Sequence, residues 1–334
     1  MPYTIIINKK EKIRNMKTLA DIKKIAVLGA GTMGPGIAQV YAMGGYTVTM
    51  WTRSESTREK AIASLKAQLD TFEAEGMLTE PKDVILGRIS FALTVEECVK
   101  GADFIQETIV EKVDAKKELY AQLAELVPAD VIIASNTSAL NIFEIVPEKL
   151  LPQQIICHWY APPHVIPLVE VVKSEQAPQE IADLAVTMLN NCGKTAVLMK
   201  KFIKGYIANR LQQCLNQEVF YLISNGYCDA QAIDLACQAS FVPRACVLGI
   251  CKRIDFGGVD MTYNNFKNKS YAAPQWDEIP SILVEKVENN ELGIKTGKGF
   301  YDYTGRDIEE VKAKRDKQLF EIFRVTKKFM DDPV

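Results

Sequence analysis

The stretch Ile25-Ala26-Val27-Leu28-Gly29-Ala30-Gly31-Thr32-Met33-Gly34-Pro35 decides the fold. Four apolar residues in a row fit a parallel strand buried on both faces. The following G-x-G-x-x-G is the pattern of a strand-to-helix turn that receives a pyrophosphate. Its first glycine permits the tight turn, its second admits the phosphates, and its third lets helix and strand pack closely. The coming helix supplies free N–H groups and a favourable dipole. Pro35 falls in the first helical turn, where its missing N–H costs little. Gly29, Gly31, Thr32, Met33 and Gly34 are therefore expected to bind a dinucleotide.

Working outward, strand-like runs recur at 47–50, 89–93, 102–106, 131–134, 155–159, 168–172 and 195–199. Helical or loop stretches separate most of them. Ile62, Leu65, Leu69 and Phe72 mark one face of a long amphipathic helix. Strand alternating with helix predicts a doubly wound α/β sheet with helices on both faces. The last three strands lie closer together, which suits an antiparallel edge. Lys204-Gly205 breaks the pattern, and Leu211, Leu215, Val219 and Leu222 then follow helical spacing. The expected organisation is an N-terminal extension over 1–21, a dinucleotide-binding domain over 22–204 and a helical domain over 205–334.

Composition narrows the partners. The 334 residues are 48% hydrophobic and 25% charged, ordinary for a chain with a real core. Forty Lys and Arg against 42 Asp and Glu leave a net charge of −2, without the basic excess that nucleic acid or anionic membrane selects. No apolar run nears the ~20 residues of a membrane span, so a chain that crosses a membrane is excluded and no membrane partner is expected. The Lys-rich start lacks a secretory h-region and is acid-containing, so a cytoplasmic location is expected. The eight cysteines form no C-x-x-C pair and read as buried, reduced thiols; with only two histidines, no metal site is expected.

The second strand bears on the choice of dinucleotide. An NAD site usually places Asp or Glu at its end. Here Thr52-Arg53-Ser54 offers two hydroxyls and a guanidinium, which suit a 2′-phosphate, so NAD(P) is the expected cofactor with NADP favoured over NAD. An exposed Arg53 without a ligand is the alternative.

His158 ends the run Ile155-Ile156-Cys157, at the carboxyl end of a strand where open α/β sheets bind ligands. Glu170 sits inside Leu168-Val169-Glu170-Val171-Val172, and a carboxylate in so apolar a run needs a partner. The short connection through Pro162-Pro163 lets the two meet. Such a pair takes a hydroxyl proton on neutral His158 while Glu170 fixes the tautomer. The same spacing also suits a structural hydrogen bond in a core. His164, after two prolines, reads as a loop residue.

Together these segments resemble the L-3-hydroxyacyl-CoA dehydrogenases from Lys23 to about Tyr303. The likeness is carried by the glycine loop, Glu107-Thr108-Ile109-Val110-Glu111, Ser135-Asn136-Thr137-Ser138, His158 with Glu170, Gly205-Tyr206-Ile207-Ala208-Asn209-Arg210 and Gly297-Lys298-Gly299-Phe300-Tyr301. The resemblance implies a Rossmann-type domain followed by an all-helical dimerisation domain. It implies His158 as base, Glu170 as its orienting carboxylate, Ser138 and Asn209 as donors to the substrate oxygen, and Glu111 and Lys116 near the cofactor. The expected reaction is reversible oxidation of a secondary alcohol at carbon 3, on a short 3-hydroxyacyl-CoA or on a free 3-hydroxy acid. A non-catalytic protein on the same scaffold, like the lens crystallins, is a further alternative.

The chain also departs from that family. After the histidine the family usually has two aromatics, Asn and Pro; here Trp159-Tyr160-Ala161-Pro162 lacks the Asn. Lys204 stands for the usual Pro, and Leu248-Gly249-Ile250 for Met-Gly-Pro. Pro162 to Glu170 looks closer to gulonate and carnitine dehydrogenases, as does Arg244. Arg244, Lys252 and Arg253 either hold a substrate carboxylate or form a solvated helix face.

Overall fold

The structure is a computed structural model, and it describes residues 17–269, 273, 274, 276 and 278–333. The expected extension up to residue 16 lies outside the described residues. The chain divides after Tyr206 into two units, where the sequence pattern suggests a cut at Gly205.

The first unit is built on eight strands: β1 (Lys24–Leu28), β2 (Thr47–Trp51), β3 (Ile89–Ala92), β4 (Phe104–Glu107), β5 (Ile132–Ser135), β6 (Gln154–Trp159), β7 (Leu168–Lys173) and β8 (Thr195–Leu198). They form one sheet in the order β3-β2-β1-β4-β5-β6-β7-β8. Strand order reverses between β1 and β4, which opens the crevice where such sheets bind ligands. Pairing is parallel from β3 across to β6, and β7 runs antiparallel to β6. The expected antiparallel edge needs one correction. β8 is parallel to β7, because the chain between them is long enough to form a crossover helix.

Six helices cover the sheet: α1 (Gly34–Met43), α2 (Glu55–Ala74), α3 (Lys82–Gly87), α4 (Val95–Val99), α5 (Val113–Leu126) and α6 (Gln179–Asn191). One core joins Ile25, Val27, Val48, Cys157 and Val171 to Ile37 and Tyr41 of α1 and Met188 of α6. The other joins Ala26, Leu28, Ile105, Ile133 and Ile156 to Cys98 of α4 and Leu119 and Leu123 of α5. Alternate residues of each strand thus enter opposite cores, as the two-residue strand period demands. Burying each large aliphatic side chain stabilises the fold by roughly 1.5–3 kcal/mol.

The second unit is helical: α7 (Ala208–Ser224), α8 (Ala230–Ala236), a π turn at Cys237–Phe241, α9 (Val242–Gly257), α10 (Val259–Lys267), α11 (Ser281–Glu288) and α12 (Ile308–Asp331). Among its described residues Phe320 is the sole buried hydrophobic side chain, while Phe256, Tyr263, Phe266 and Val287 are more than 60% exposed. This corrects the reading of the thiols. All eight cysteines are free, but only Cys98 and Cys157, in the first unit, are buried. Cys192 is half-buried in the first unit, and the other five lie in the second, whose described residues form no core to take them.

The expectation about membrane-length segments is also corrected. Ala230–Gly257 is a 28-residue helical stretch long and apolar enough, by length and composition, to cross a membrane. It escapes a search for uninterrupted apolar runs because Asp234, Gln238 and Arg244 are dispersed along it. The stretch is interrupted by the π turn and by Gly249, whose φ of 71° and ψ of −178° are non-helical.

Candidate active site

The glycine loop leaves β1 and enters α1 as the sequence pattern requires. Gly29 has φ 122°, and a Cβ there would lie 2.8 Å from the Thr108 carbonyl oxygen. A Cβ on Gly34 would collide with the Gly29 carbonyl oxygen, so only glycine lets the helix start so close to the strand. Around Gly31 there is open space. These glycines fit a dinucleotide: two make the turn, and the third leaves backbone accessible to a pyrophosphate. Thr32 is exposed, Met33 half-buried, and Pro35 stands in the first turn of α1.

At the end of β2, Thr52 is 1% exposed and its Oγ1 has no hydrogen-bond partner. A buried hydroxyl without a partner is costly and marks a place for a ligand group or water. Arg53 is exposed, with its guanidinium 5.9 Å from the centre of the Trp51 ring. Ser54 caps α2, its Oγ accepting from the Thr57 N–H at 3.3 Å.

His158 and Glu170 are directly opposed across the antiparallel β6–β7 pair. They are 2% and 1% exposed, and His158 Nδ1 donates to Glu170 Oε2 at 3.0 Å. An ionised carboxylate only accepts, so it fixes the proton on Nδ1 and leaves Nε2 as the acceptor. The imidazole stacks on Tyr206, with centroids 4.3 Å apart and planes 19° from parallel. Tyr206 holds φ 51° and donates its hydroxyl to the Thr137 carbonyl at 2.6 Å, which locks this ring in place. Tyr160 lies on the imidazole at 4.6 Å and donates to Glu170 Oε2 at 2.8 Å.

The loops beyond β4 and β5 are joined by charge. Glu107, fully buried, accepts from Lys116 Nζ at 2.7 Å on both oxygens, from Ser135 Oγ at 2.5 Å and from the Ile109 N–H at 2.8 Å. Glu111 accepts on Oε1 from Thr137 Oγ1 at 2.6 Å, the Ser138 N–H at 2.8 Å and the Ala139 N–H at 3.0 Å. Partial burial works to raise its pKa, but these hydrogen bonds and the nearby Lys116 hold it below the usual carboxylate value. Lys116 has no exposed surface. Its Nζ also lies 3.7 Å from Glu111 Oε2. Ser138 is exposed at the crevice end of the β5 loop, and Asn136 Oδ1 ties that loop to β6 by accepting from the Trp159 N–H at 3.0 Å. Asn209 opens the second unit, at the second position of α7.

The β6–β7 turn contains a cis Ala161–Pro162 bond and is held by Lys194, whose Nζ donates to the Pro163 and Ile166 carbonyls. Burial drives the Lys194 ammonium down to about 7. Arg244 turns back on the preceding π turn, donating to Ser240, and Arg253 lies over Phe241. Sequence reasoning missed Tyr160, Tyr206, Glu107 and Lys194. Glu107 carried the same signal as Glu170, a carboxylate ending an apolar run; the two tyrosines carried none, because their hydroxyl partners come from distant segments.

Comparison with known proteins agrees with this geometry. Residues 24–202 match the family 3-hydroxyacyl-CoA dehydrogenase, NAD binding domain, and residues 205–303 match the C-terminal domain of the same family. A probable 3-hydroxybutyryl-CoA dehydrogenase of Bacillus subtilis is 34% identical over 286 residues, covering 85% of this chain and 98% of that protein. The 5-formyl-3-hydroxy-2-methylpyridine 4-carboxylate 5-dehydrogenase of Mesorhizobium japonicum is 29% identical over 308 residues, 91% of this chain and 98% of that protein. A crystal structure of an enzyme of the latter activity, described as an NAD+ dependent dismutase, superposes with TM-score 0.81 at 26% identity, over 92% of this chain and 99% of that one.

The Glu107–Lys116 pair generates a stability prediction. Lys116→Met leaves a buried carboxylate without its counter-charge and should cost about 3–5 kcal/mol in urea unfolding at neutral pH; a variant as stable as the parent would show that the pair is not needed. With both domain matches in chain order and the His–Glu pair in place, the chain belongs to the 3-hydroxyacyl-CoA dehydrogenase family.

Proposed function

We propose that this nicotinamide-dependent dehydrogenase interconverts a short 3-hydroxyacyl-CoA and its 3-keto form, prefers NADP(H), and works as a cytoplasmic homodimer. The observation that carries the chemistry is the buried His158–Glu170 bond. With Nδ1 committed to the carboxylate, Nε2 accepts the substrate hydroxyl proton, and Glu170 stabilises the imidazolium that forms. Ser138 and Asn209, by the family resemblance, donate to the substrate oxygen as it gains carbonyl character. The nicotinamide, when bound, supplies the hydride acceptor or donor. Gly29, Gly31, Thr32, Met33 and Gly34 hold its pyrophosphate at the start of α1. Glu111 braces the loop that carries Ser138, and Lys116 pairs with Glu107 and lies near Glu111.

The coenzyme preference rests on the end of β2. No carboxylate stands at this strand end to repel a 2′-phosphate, and the exposed Arg53 guanidinium is placed to meet one. The dimer rests on the second unit. Helices that expose Phe256, Tyr263 and Phe266 over no core of their own need another apolar surface, and a second copy supplies one. A free hydroxy acid is the second substrate reading, favoured by the likeness, at 27% identity over 92% of the chain, to an L-carnitine dehydrogenase of Streptomyces griseus.

Steady-state assays of both coenzymes with acetoacetyl-CoA and with small hydroxy acids test the substrate reading. Turnover of the hydroxy acids alone would replace the thioester with the free acid. His158→Gln should lose about 100-fold or more in kcat with fold and coenzyme affinity retained; unchanged turnover removes His158 from the chemistry. NADP+ should exceed NAD+ in kcat/KM, and Arg53→Ala should narrow the gap, whereas a parent preference for NAD+ reverses the reading of β2. Sedimentation at micromolar concentration should give a dimer; a stable monomer contradicts the role given to the second unit.

A further inference from the structure

Glu170 Oε2 accepts two hydrogen bonds, from His158 Nδ1 at 3.0 Å and from the Tyr160 hydroxyl at 2.8 Å. Both donors compete for the same negative charge. Each bond to a buried carboxylate disperses that charge and makes it a weaker acceptor for the other. We propose that Tyr160 is a positioning residue which, through Glu170, keeps His158 a weaker base than a His–Glu pair alone would make it. The inference rests on the proposed role of His158 and deepens it.

Three observations place Tyr160 where it can act in this way. It follows β6 by a single residue, so its backbone is fixed by the strand that carries His158. Its ring centre lies 4.6 Å from the imidazole centre, and its hydroxyl reaches the Glu170 carboxylate. Tyr206, stacked on the same imidazole, donates its hydroxyl to the Thr137 carbonyl, so the two rings have different partners. Among the described contacts, the titratable groups against the imidazole are Glu170 from β7, Tyr160 from the turn after β6, and Tyr206 from the end of the first unit. Glu111 acts beyond these, on Tyr206.

No proton leaves Tyr160 in the reaction. With its hydroxyl present, less of the Glu170 charge is available to the imidazolium, so His158 stays neutral to lower pH. Oxidation of the alcohol requires neutral His158, so its rate falls as pH drops through the imidazole pKa. Removing the hydroxyl strengthens Glu170 towards His158 and moves that limb to higher pH. Ketone reduction requires the imidazolium, and its alkaline limb moves the same way.

The chain has two histidines, so isotope-labelled histidine gives two imidazole signals, and the one lost in His158→Gln is assigned to His158. In Tyr160→Phe the His158 midpoint should rise by about 0.5–1 pH unit. The acid limb of kcat/KM for alcohol oxidation should rise by the same amount, with coenzyme Kd unchanged and a native unfolding transition. A midpoint that stays in place or falls overturns the proposal. Because the titration needs no substrate, a raised midpoint supports the proposal even where no hydroxyacyl compound turns over, a result that counts against the functional reading alone.

Discussion

The reversal of chain direction between β6 and β7 sets His158 and Glu170 on opposing positions of an antiparallel pair. In such a pair the side chains of opposed residues leave the same face of the sheet with Cβ atoms about 4.5–5.5 Å apart, within reach of a direct hydrogen bond. Every other strand boundary from β3 to β6 is parallel, and a parallel connection needs a crossover of a dozen or more residues. The short segment Ala161–Pro167 allows only the return path. Lys194 fastens that segment by its carbonyls, so the register that brings acid and base together is fixed from the adjoining edge of the sheet.

Two kinds of buried polar group surround the crevice, and they serve different ends. Glu107 and Lys116 are a closed pair, with every carboxylate oxygen engaged and no surface exposed. Such a pair adds little net stability compared with apolar packing, but it is expensive to break, and it fixes where the segments after β4 and β5 stand. His158, by contrast, has Nδ1 committed to Glu170, and it is on this pair that the proposed chemistry rests. Glu111 connects the two arrangements. It lies near Lys116 on one side and gathers Thr137, Ser138 and Ala139 on the other, while the Thr137 carbonyl holds the ring stacked on His158.

The second unit follows a different principle. Its helices carry apolar residues at regular spacing, yet almost none of those side chains is buried within the chain. Patterning that normally builds a core is here directed outward. The membrane-length stretch Ala230–Gly257 has the same origin, an apolar surface distributed along a helix instead of a continuous apolar run.

The sequence by itself determined the eight strands, the glycine turn and the helical second half, because these follow from short-range rules: the two-residue and 3.6-residue periods and the steric freedom of glycine. It also singled out His158 and Glu170, since an ionisable group in an apolar run demands a partner. It paired the two with each other, but tertiary structure alone decided what else they meet. Tyr160 bonds to Glu170, Tyr206 covers His158 from a segment 48 positions further on, and Lys116 closes on Glu107. A hydroxyl or ammonium carries no mark in the sequence of what it will meet, because the meeting depends on sheet order and register. The same holds for β8, whose direction was set by the helix inserted before it and not by its own residues.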